Sequence, residues 1–423
     1  MSKKDKSEPE IKTFGCRLNF YESEVIRAHA LEAGLGDDVI IFNTCAVTKE
    51  AERQARQAIR RAKRDNPDAT LIVTGCSAQI TPEIYKDIAE VDRVIGNDFK
   101  LEAKSWQNRC GDEKVLVNEV MSFDDNDSPL IEGYEDRSRA FLQVQNGCDN
   151  RCTFCIIPYG RGDARSVPVA QIARQVKNLA KGGYNEIILT GVDVTSYGAD
   201  LPERPALGTM IRQVLDLVPE LKRLRLSSLD PAAIDEDLWH LIAHEPRLCP
   251  HLHLSVQAGD DLILKRMKRR HLRGDVIALC QRARDIRPDV VFGADLIAGF
   301  PTETEKMFVN TVRFVEECDL TFLHVFPYSE REGTPAARIP NKVPVAQRKE
   351  RAARLRALGE AQLEKLLQRS IDKDFDVIVE QDGAGKTETF LSVRLEGEYV
   401  SGQLIRFRAT GIQDGMLSGT VLS

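Results

Sequence analysis

The stretch Asn146-Gly147-Cys148-Asp149-Asn150-Arg151-Cys152-Thr153-Phe154-Cys155 sets three cysteines at C-x3-C-x2-C spacing, just after the strand-like run Ala140-Phe141-Leu142-Gln143-Val144-Gln145. Three thiolates on a tight loop can hold three irons of a 4Fe–4S cube and leave the fourth iron open to a small chelating molecule. Zinc is the rival reading, but zinc sites usually present four ligands in two pairs, and no second pair lies nearby.

Around that loop, strand and helix patterns alternate. Strands are predicted at 140–145, 186–190, 223–226, 251–255, 290–297 and 321–326, with helices at 169–181, 208–217, 235–244, 273–286 and 303–317. Six such steps make a parallel sheet that curves without closing, and the active face of such a fold lies at the strand carboxyl ends. The cysteine loop follows the first strand and so belongs to that face.

A second set of cysteines lies upstream. Short strands at 11–15, 38–42, 70–74 and 91–95, with helices at 21–33, 48–64 and from Thr81-Pro82, imply an open parallel sheet. Cys16, Cys45 and Cys76 each fall within a few residues of a strand's carboxyl end, the crevice where open sheets bind ligands. Topology alone leaves two readings open, a joint metal site or three buried structural thiols.

The whole chain has 423 residues, 42% hydrophobic and 29% charged, with a net charge of −6. That describes a globular protein of two to four domains. No run approaches the roughly 18 apolar residues of a membrane span. Met1-Ser2-Lys3-Lys4-Asp5-Lys6 leads into no apolar segment, and ten scattered cysteines fit a reducing, cytoplasmic setting. With this net charge, any nucleic-acid contact must come from local basic patches.

The cysteine loop resembles the radical SAM signature, including the aromatic Phe154 before its last cysteine. The N-terminal segment is similar to that of the radical SAM methylthiotransferases at Thr13-Phe14-Gly15-Cys16-Arg17-Leu18-Asn19, Asn43-Thr44-Cys45-Ala46-Val47-Thr48 and Thr74-Gly75-Cys76. Ile156-Ile157-Pro158-Tyr159-Gly160-Arg161-Gly162 resembles them too, and the resemblance runs through nearly the whole chain in domain order.

The resemblance implies two 4Fe–4S clusters, one on Cys148, Cys152 and Cys155 and one on Cys16, Cys45 and Cys76, with S-adenosylmethionine (SAM) on the first. For SAM it suggests Phe154, Thr190, Gly191, Asp193, Ser228, Gln257 and Ile297, although glycine at a strand end is more often only a turn. Arg161 and Arg165 are candidates for the SAM carboxylate or an RNA phosphate, with a structural role as the alternative.

The implied reaction joins a methylthio group to an unactivated C–H carbon, and no general base stands out. Phe14 to Asn19 and His251-Leu252-His253-Leu254-Ser255-Val256-Gln257 look most like the branch acting on tRNA threonylcarbamoyladenosine beside the anticodon. The alternatives are the isopentenyladenosine branch, the branch modifying a ribosomal-protein aspartate and, outside enzymes, a non-catalytic iron–sulfur RNA-binding protein. The implied partners are the tRNA anticodon stem-loop and a reductant such as a flavodoxin or ferredoxin; the sequence names no sulfur donor.

Two basic stretches are candidate RNA contacts or solvated faces. One is the helix stripe Arg53, Arg56, Arg60 and Arg64. The other is the run from Leu264 to Arg273, with Lys265, Lys268 and Arg269. The last segment alternates apolar and polar residues at 375–379, 389–394, 403–409 and 417–422, suggesting a small OB-like β-barrel. Its position resembles the TRAM domain, yet between Ile371 and Ser423 five Lys/Arg face nine Asp/Glu. Arg394, Arg406 and Arg408 remain as a local basic patch. The expected division is 1–122 for the N-terminal domain, 123–136 for an acidic linker, 137–368 for the radical SAM core and 369–423 for the TRAM-like barrel. The fold class is α/β throughout except for that last barrel.

Overall fold

Strands buried on both faces read as near-continuous apolar runs, and this one property builds the first sheet. The computed structural model describes residues 8–107, 113–120, 131, 133–134 and 137–422. Cys110 and almost all of the expected linker lie outside the described residues.

The first elements in chain order are β1 (Glu10–Thr13), α1 (Arg17–Glu32), β2 (Val39–Thr44), α2 (Lys49–Asp65), β3 (Thr70–Gly75), α3 (Cys76–Ile80), α4 (Pro82–Lys86), β4 (Arg93–Ile95) and β5 (Val115–Leu116). The five strands form one parallel sheet in sequential order. Ile40, Phe42, Leu71 and Val73 bury against one helix layer, and Val39, Ile41 and Ile72 against the other. A fully buried side chain of this size contributes about 1.5–3 kcal/mol. Thr48 caps α2 by accepting from the Ala51 N–H, with Glu50 and Glu52 in the first turn where the helix dipole favours them. The two-residue β5 was not foreseen from the sequence.

The next elements are β6 (Ala140–Gln143), β7 (Gln145–Asn146), α5 (Ile157–Arg161) and β8 (Arg165–Ser166), followed by α6 (Val169–Lys181), β9 (Glu186–Thr190), α7 (Leu207–Leu217), β10 (Arg223–Leu226), β11 (Ser228–Leu229), α8 (Glu236–His244), β12 (His251–Gln257), α9 (Asp261–Arg266), α10 (Arg273–Ile286), β13 (Val291–Ala298), α11 (Glu305–Glu317), β14 (Leu320–Pro327) and α12 (Val345–Gln368). All six expected barrel strands are present and parallel. The third is split at Ser227. Its first half lies in the sheet β10-β9-β6 and its second half opens the sheet β11-β12-β13-β14.

The chain ends in β15 (Asp374–Val379), β16 (Ala384–Thr387), β17 (Ser392–Arg394), β18 (Leu404–Gln413) and β19 (Met416–Leu422), a closed five-stranded barrel. Phe375, Val377, Val393, Phe407 and Leu417 fill it. Closure removes the exposed edges that a small sheet would otherwise present. Arg225 is fully buried yet satisfied: it donates to Glu186 at 2.8 Å and to the Thr387 and Glu388 carbonyls at 3.1 and 3.0 Å.

The chain divides into two compact units. One comprises Met1–Ile131, Gln145–Arg165 and Glu330–Ala337; the other Glu132–Val144, Ser166–Ser329 and Arg338–Ser423. The cysteine loop therefore groups with the N-terminal sheet rather than with the residue 137–368 segment that surrounds it in sequence. The C-terminal barrel groups with the six-stranded unit. No helix among the described residues is long and apolar enough to cross a membrane.

Candidate functional site

Register decides where the upstream cysteines meet. Thr13 is paired with Asn43 and Asn43 with Thr74, so β1, β2 and β3 end in line. Cys45 and Cys76 leave the last residues of their strands and Cys16 stands before α1. Glycine makes the approach close enough. Gly75 has φ +94°, and a Cβ there would stand 2.3–2.4 Å from the Thr44 backbone. Gly15 has φ +101°, and a Cβ there would meet the Cys45 Cβ and Sγ at 2.7 and 2.8 Å. Neither position tolerates a side chain without moving a cysteine-bearing loop.

Burial, then the nearby sulfurs of Cys76 and Cys16, pushes the Cys45 thiol up to about 12. Cys16, by contrast, is exposed, whereas Cys45 and Cys76 are buried. The three sulfurs thus feel one another across sixty residues of sequence. Asn97 Nδ2 lies 3.7 Å from Cys76 Sγ and donates to the Gly160 carbonyl.

Beneath this triad is a charged cluster. Arg161 donates to both carboxylate oxygens of Glu22 at 2.7 and 3.0 Å and to Asn19 Oδ1 at 2.8 Å. Lys100 Nζ reaches Glu22 at 2.6 Å, and its own side chain is fully buried. Burial disfavours the Glu22 carboxylate, but Arg161 and Lys100 together hold it down at about 2. Burial pulls the Lys100 ammonium down, and Glu22 opposes that, so Arg161 is the firmer of the two cations beside the cysteine thiols. An all-sulfur donor set with such a surround fits an iron–sulfur cluster.

Arg161 is therefore not free for a SAM carboxylate or an RNA phosphate. Its partners lie some 140 positions upstream, out of reach of any local reading. Asn19 and Glu22 were also missed, although Cys16, Asn19 and Glu22 follow one another at three-residue spacing along one face of α1. Arg165, also named for that role, donates to the Asp163 and Arg161 carbonyls.

The downstream triad occupies the same compact unit. Cys148 is buried; Cys152 and Cys155 are half-buried. The loop is braced at several points. The Cys148 N–H donates to the Gly162 carbonyl at 3.1 Å, the Cys155 N–H to the Cys152 carbonyl at 3.1 Å, and the Ala336 N–H to the Thr153 carbonyl at 2.9 Å. Arg151 pairs with Asp163 and also donates to the Cys148 carbonyl. Phe154 is half-buried. Nearby in sequence to the upstream triad, α2 contributes Glu52, which accepts from Ser77 and, with both oxygens, from Arg331.

In the other unit the candidate SAM contacts sit at strand ends. Thr190 closes β9 and its carbonyl accepts from Val144; Gly191 follows it. Burial pushes the Asp193 carboxyl up, and Thr195 donates to it at 2.6 Å. Ser228 opens β11, in register with His253 of β12. Gln257 ends β12 with φ +75°, next to a register shift that begins after Leu254. A non-glycine residue in that conformation stores strain, as functional strand ends often do. Ile297 lies one position from the end of β13, in register with Phe326 of β14.

The basic stretches turn out less exposed than the sequence suggests. Arg269 has a side chain only 7% exposed; it donates to the Ser255 carbonyl and lies 3.2 Å from Asp230, so it is no surface contact. Arg270 and His271 also turn toward Asp230. Lys265 and Lys268 remain at the surface. Arg53 and Arg60 are exposed on α2 and Arg56 half-buried, with Arg53 paired to Glu50. In the C-terminal barrel, Arg406 and Arg408 pair with Asp376 and Asp374 at 3.0 and 2.6 Å, which neutralises most of the patch expected there.

Comparison with known proteins adds three findings. Residues 9–96 match a family described as Uncharacterized protein family UPF0004, and residues 142–315 match the Radical SAM superfamily. The chain is 55% identical over 408 residues, 96% of each chain, to the threonylcarbamoyladenosine tRNA methylthiotransferase MtaB of Rickettsia prowazekii. It is 32% identical to the tRNA-2-methylthio-N(6)-dimethylallyladenosine synthase of Clostridium tetani, covering 92% of this chain and 90% of that one. In fold it resembles the radical S-adenosylmethionine methyltransferase TsrM of Kitasatospora setae, solved with cobalamin and a [4Fe-4S] cluster bound. That match has a TM-score of 0.55 and 15% identity, over 78% of this chain and 74% of that one.

Proposed function

The chain belongs to the radical SAM methylthiotransferases, and from that premise we propose that it adds a methylthio group to C2 of N6-threonylcarbamoyladenosine beside the anticodon of tRNA. The observation that carries this reading is the 55% identity, spanning 96% of both chains, to an enzyme named for that substrate. The relative named for a dimethylallyl substrate stands at 32%, so the isopentenyladenosine branch is the weaker reading.

In this reading Cys148, Cys152 and Cys155 hold one 4Fe–4S cluster and Cys16, Cys45 and Cys76 the other. When bound, SAM would supply the methyl group and the hydrogen-abstracting radical, one cluster the electron for its cleavage and the other a place for sulfur from a separate donor, together exchanging a C2 hydrogen for a methylthio group. The protein's own work is to hold and to shield. Gly15 and Gly75 let three cysteine loops converge, and Arg161 and Lys100 offset the charge of cluster-binding thiolates. Thr190, Gly191, Asp193, Ser228, Gln257, Ile297 and Phe154 are the residues assigned to SAM, and Lys265, Lys268, Arg53, Arg56 and Arg60 those assigned to RNA phosphates. A flavodoxin or ferredoxin is the proposed reductant and the cytoplasm the proposed location. The domain division into 1–122, 123–136, 137–368 and 369–423 is kept as a functional one.

The test is direct. Anaerobically reconstituted protein is incubated with SAM, reductant, sulfide and anticodon stem-loops carrying either threonylcarbamoyladenosine or isopentenyladenosine, and the nucleosides are analysed by mass spectrometry. A 2-methylthio product from the first RNA supports the reading. Product from only the second moves the chain to the other branch, and bound iron with neither product nor 5′-deoxyadenosine favours a non-catalytic role.

A further inference from the structure

Three adjacent strands of the second unit carry a polar cluster that none of the assignments above uses. His253 of β12 and His324 of β14 both address one oxygen of Asp295 on β13. His253 Nε2 lies 3.0 Å and His324 Nδ1 3.2 Å from Asp295 Oδ1. The two rings are 4.5 Å apart. Gly293, the register partner of His253, leaves room for its ring, since a Cβ there would stand 2.4 Å from His253 Nδ1. His253 is buried, whereas the His324 side chain is 52% exposed.

The hydrogen bonding fixes what His324 can offer. Asp295 takes the Nδ1–H, so Nε2 is the atom left for a ligand, and a ring set between Asp295 and a ligand carboxylate can donate one N–H to each. β14 is the end strand of its sheet, so no further strand of that sheet covers the ring. Phe326, two residues on and on the same face, is 40% exposed, and it is the register partner of Ile297 at the cofactor-bearing strand ends. Two strand residues span about 7 Å. A carbamoyl group plus one amino-acid residue covers roughly the same length.

We propose that His324, oriented by Asp295 and backed by His253, binds the carboxylate of the threonylcarbamoyl arm while Phe326 offers a stacking face to the adenine. This rests on the substrate reading above and deepens it. The subsite makes the enzyme select an anionic N6-substituent over an apolar one, because an apolar arm would leave the oriented Nε2 covered and unpaired.

The test uses the reconstituted full chain and two anticodon stem-loops, one carrying threonylcarbamoyladenosine and one its methyl ester. Affinity, product formation and 5′-deoxyadenosine are measured for wild type, His324→Ala and His324→Lys. Wild type is expected to prefer the acid by about ten- to a hundredfold, the range of one charged hydrogen bond. His324→Ala should lose that preference through KM and affinity, leaving the ester almost unaffected, and His324→Lys should restore part of it. Equal use of acid and ester by wild type overturns the proposal, as does an equal loss on both RNAs in His324→Ala. The three ligand atoms also lie within 4.8 Å of one another, as for a divalent cation. One equivalent of zinc retained by cluster-loaded wild type and lost in His324→Ala would overturn it too. If wild type leaves the acid RNA unmodified, the substrate reading fails on its own, and the affinity difference between the two RNAs still decides the subsite.

Discussion

Arg161 grips both carboxylate oxygens of Glu22, at 2.7 and 3.0 Å, across 139 positions of sequence. Arg161 follows the Cys148–Cys155 loop on α5 and Glu22 follows Cys16 on α1. One buried ion pair therefore ties the segment that carries one cysteine triad to the segment that carries the other. Removing one partner of such a pair leaves an uncompensated buried charge, which costs about 3–5 kcal/mol. Arg161→Met is expected to destabilise the first unit by that order. Trp106 donates to the Lys100 carbonyl at 2.9 Å, so its fluorescence in urea, in a Trp239→Phe background, reports on this neighbourhood. An unchanged midpoint would mean that Lys100 alone satisfies Glu22.

Gly75 supplies a separate test of how the upstream triad assembles. Gly75→Ala forces a Cβ to within 2.4 Å of the Thr44 backbone at a φ of +94°. The Cys45 and Cys76 loops must then part. Reconstituted Gly75→Ala is expected to bind about half the iron of wild type, since one of two equal clusters is lost. Its yield of 5′-deoxyadenosine should stay within about twofold of wild type. Full iron content would show that the strand ends can shift without losing the site.

The two classes of basic residue should behave differently. Lys265 and Lys268 are exposed, and each removed phosphate contact lowers the salt dependence of RNA binding by about one in slope. Lys265→Ala and Lys268→Ala should weaken stem-loop binding at low salt while leaving thermal stability unchanged. Arg269→Ala should instead lower stability, because its guanidinium is spent on Ser255 and Asp230. Equal effects of all three on RNA affinity, with stability intact, would restore Arg269 as a surface contact.

Glu186 gives the second unit a defined acid limb. Burial opposes its charge, but Arg225 and Arg223 hold its carboxyl at about 2, below its ordinary 4.5. A folded pKa below the unfolded one stabilises fully above about pH 4.5, and that stabilisation is lost as pH falls toward 2. At neutral pH it is worth about 3 kcal/mol by linkage. Glu186→Gln should be less stable by about that much or more at pH 7, and the two proteins should converge between pH 5 and 2 in urea titrations. A gap independent of pH would assign the loss to packing.

Much of this was legible from local pattern. The βα alternation, the six barrel strands and the Cys148–Cys155 loop come from periodicity and spacing, because each is decided within a few residues. For Cys16, Cys45 and Cys76 topology leaves a joint site and buried thiols both open, and only the family resemblance implies a cluster. What escaped was decided by distant partners. Arg161 and Arg269 look like available cations until Glu22 and Asp230 are brought beside them by folding. Arg406 and Arg408 look like a patch until β15 pairs with β18 and sets Asp376 and Asp374 opposite them. The split of the third barrel strand at Ser227 leaves no mark in composition, since both halves are apolar in alternate positions.

The central claim is that two triads in one compact unit do separate work, one cleaving SAM and the other delivering sulfur. The measurement that tests it most directly quantifies 5′-deoxyadenosine and 2-methylthio nucleoside together, on stem-loop RNA carrying threonylcarbamoyladenosine, for wild type, Cys152→Ala and Cys45→Ala. Wild type should form both products and Cys152→Ala neither. Cys45→Ala should form 5′-deoxyadenosine without the methylthio nucleoside. Methylthiolation by Cys45→Ala would contradict the account.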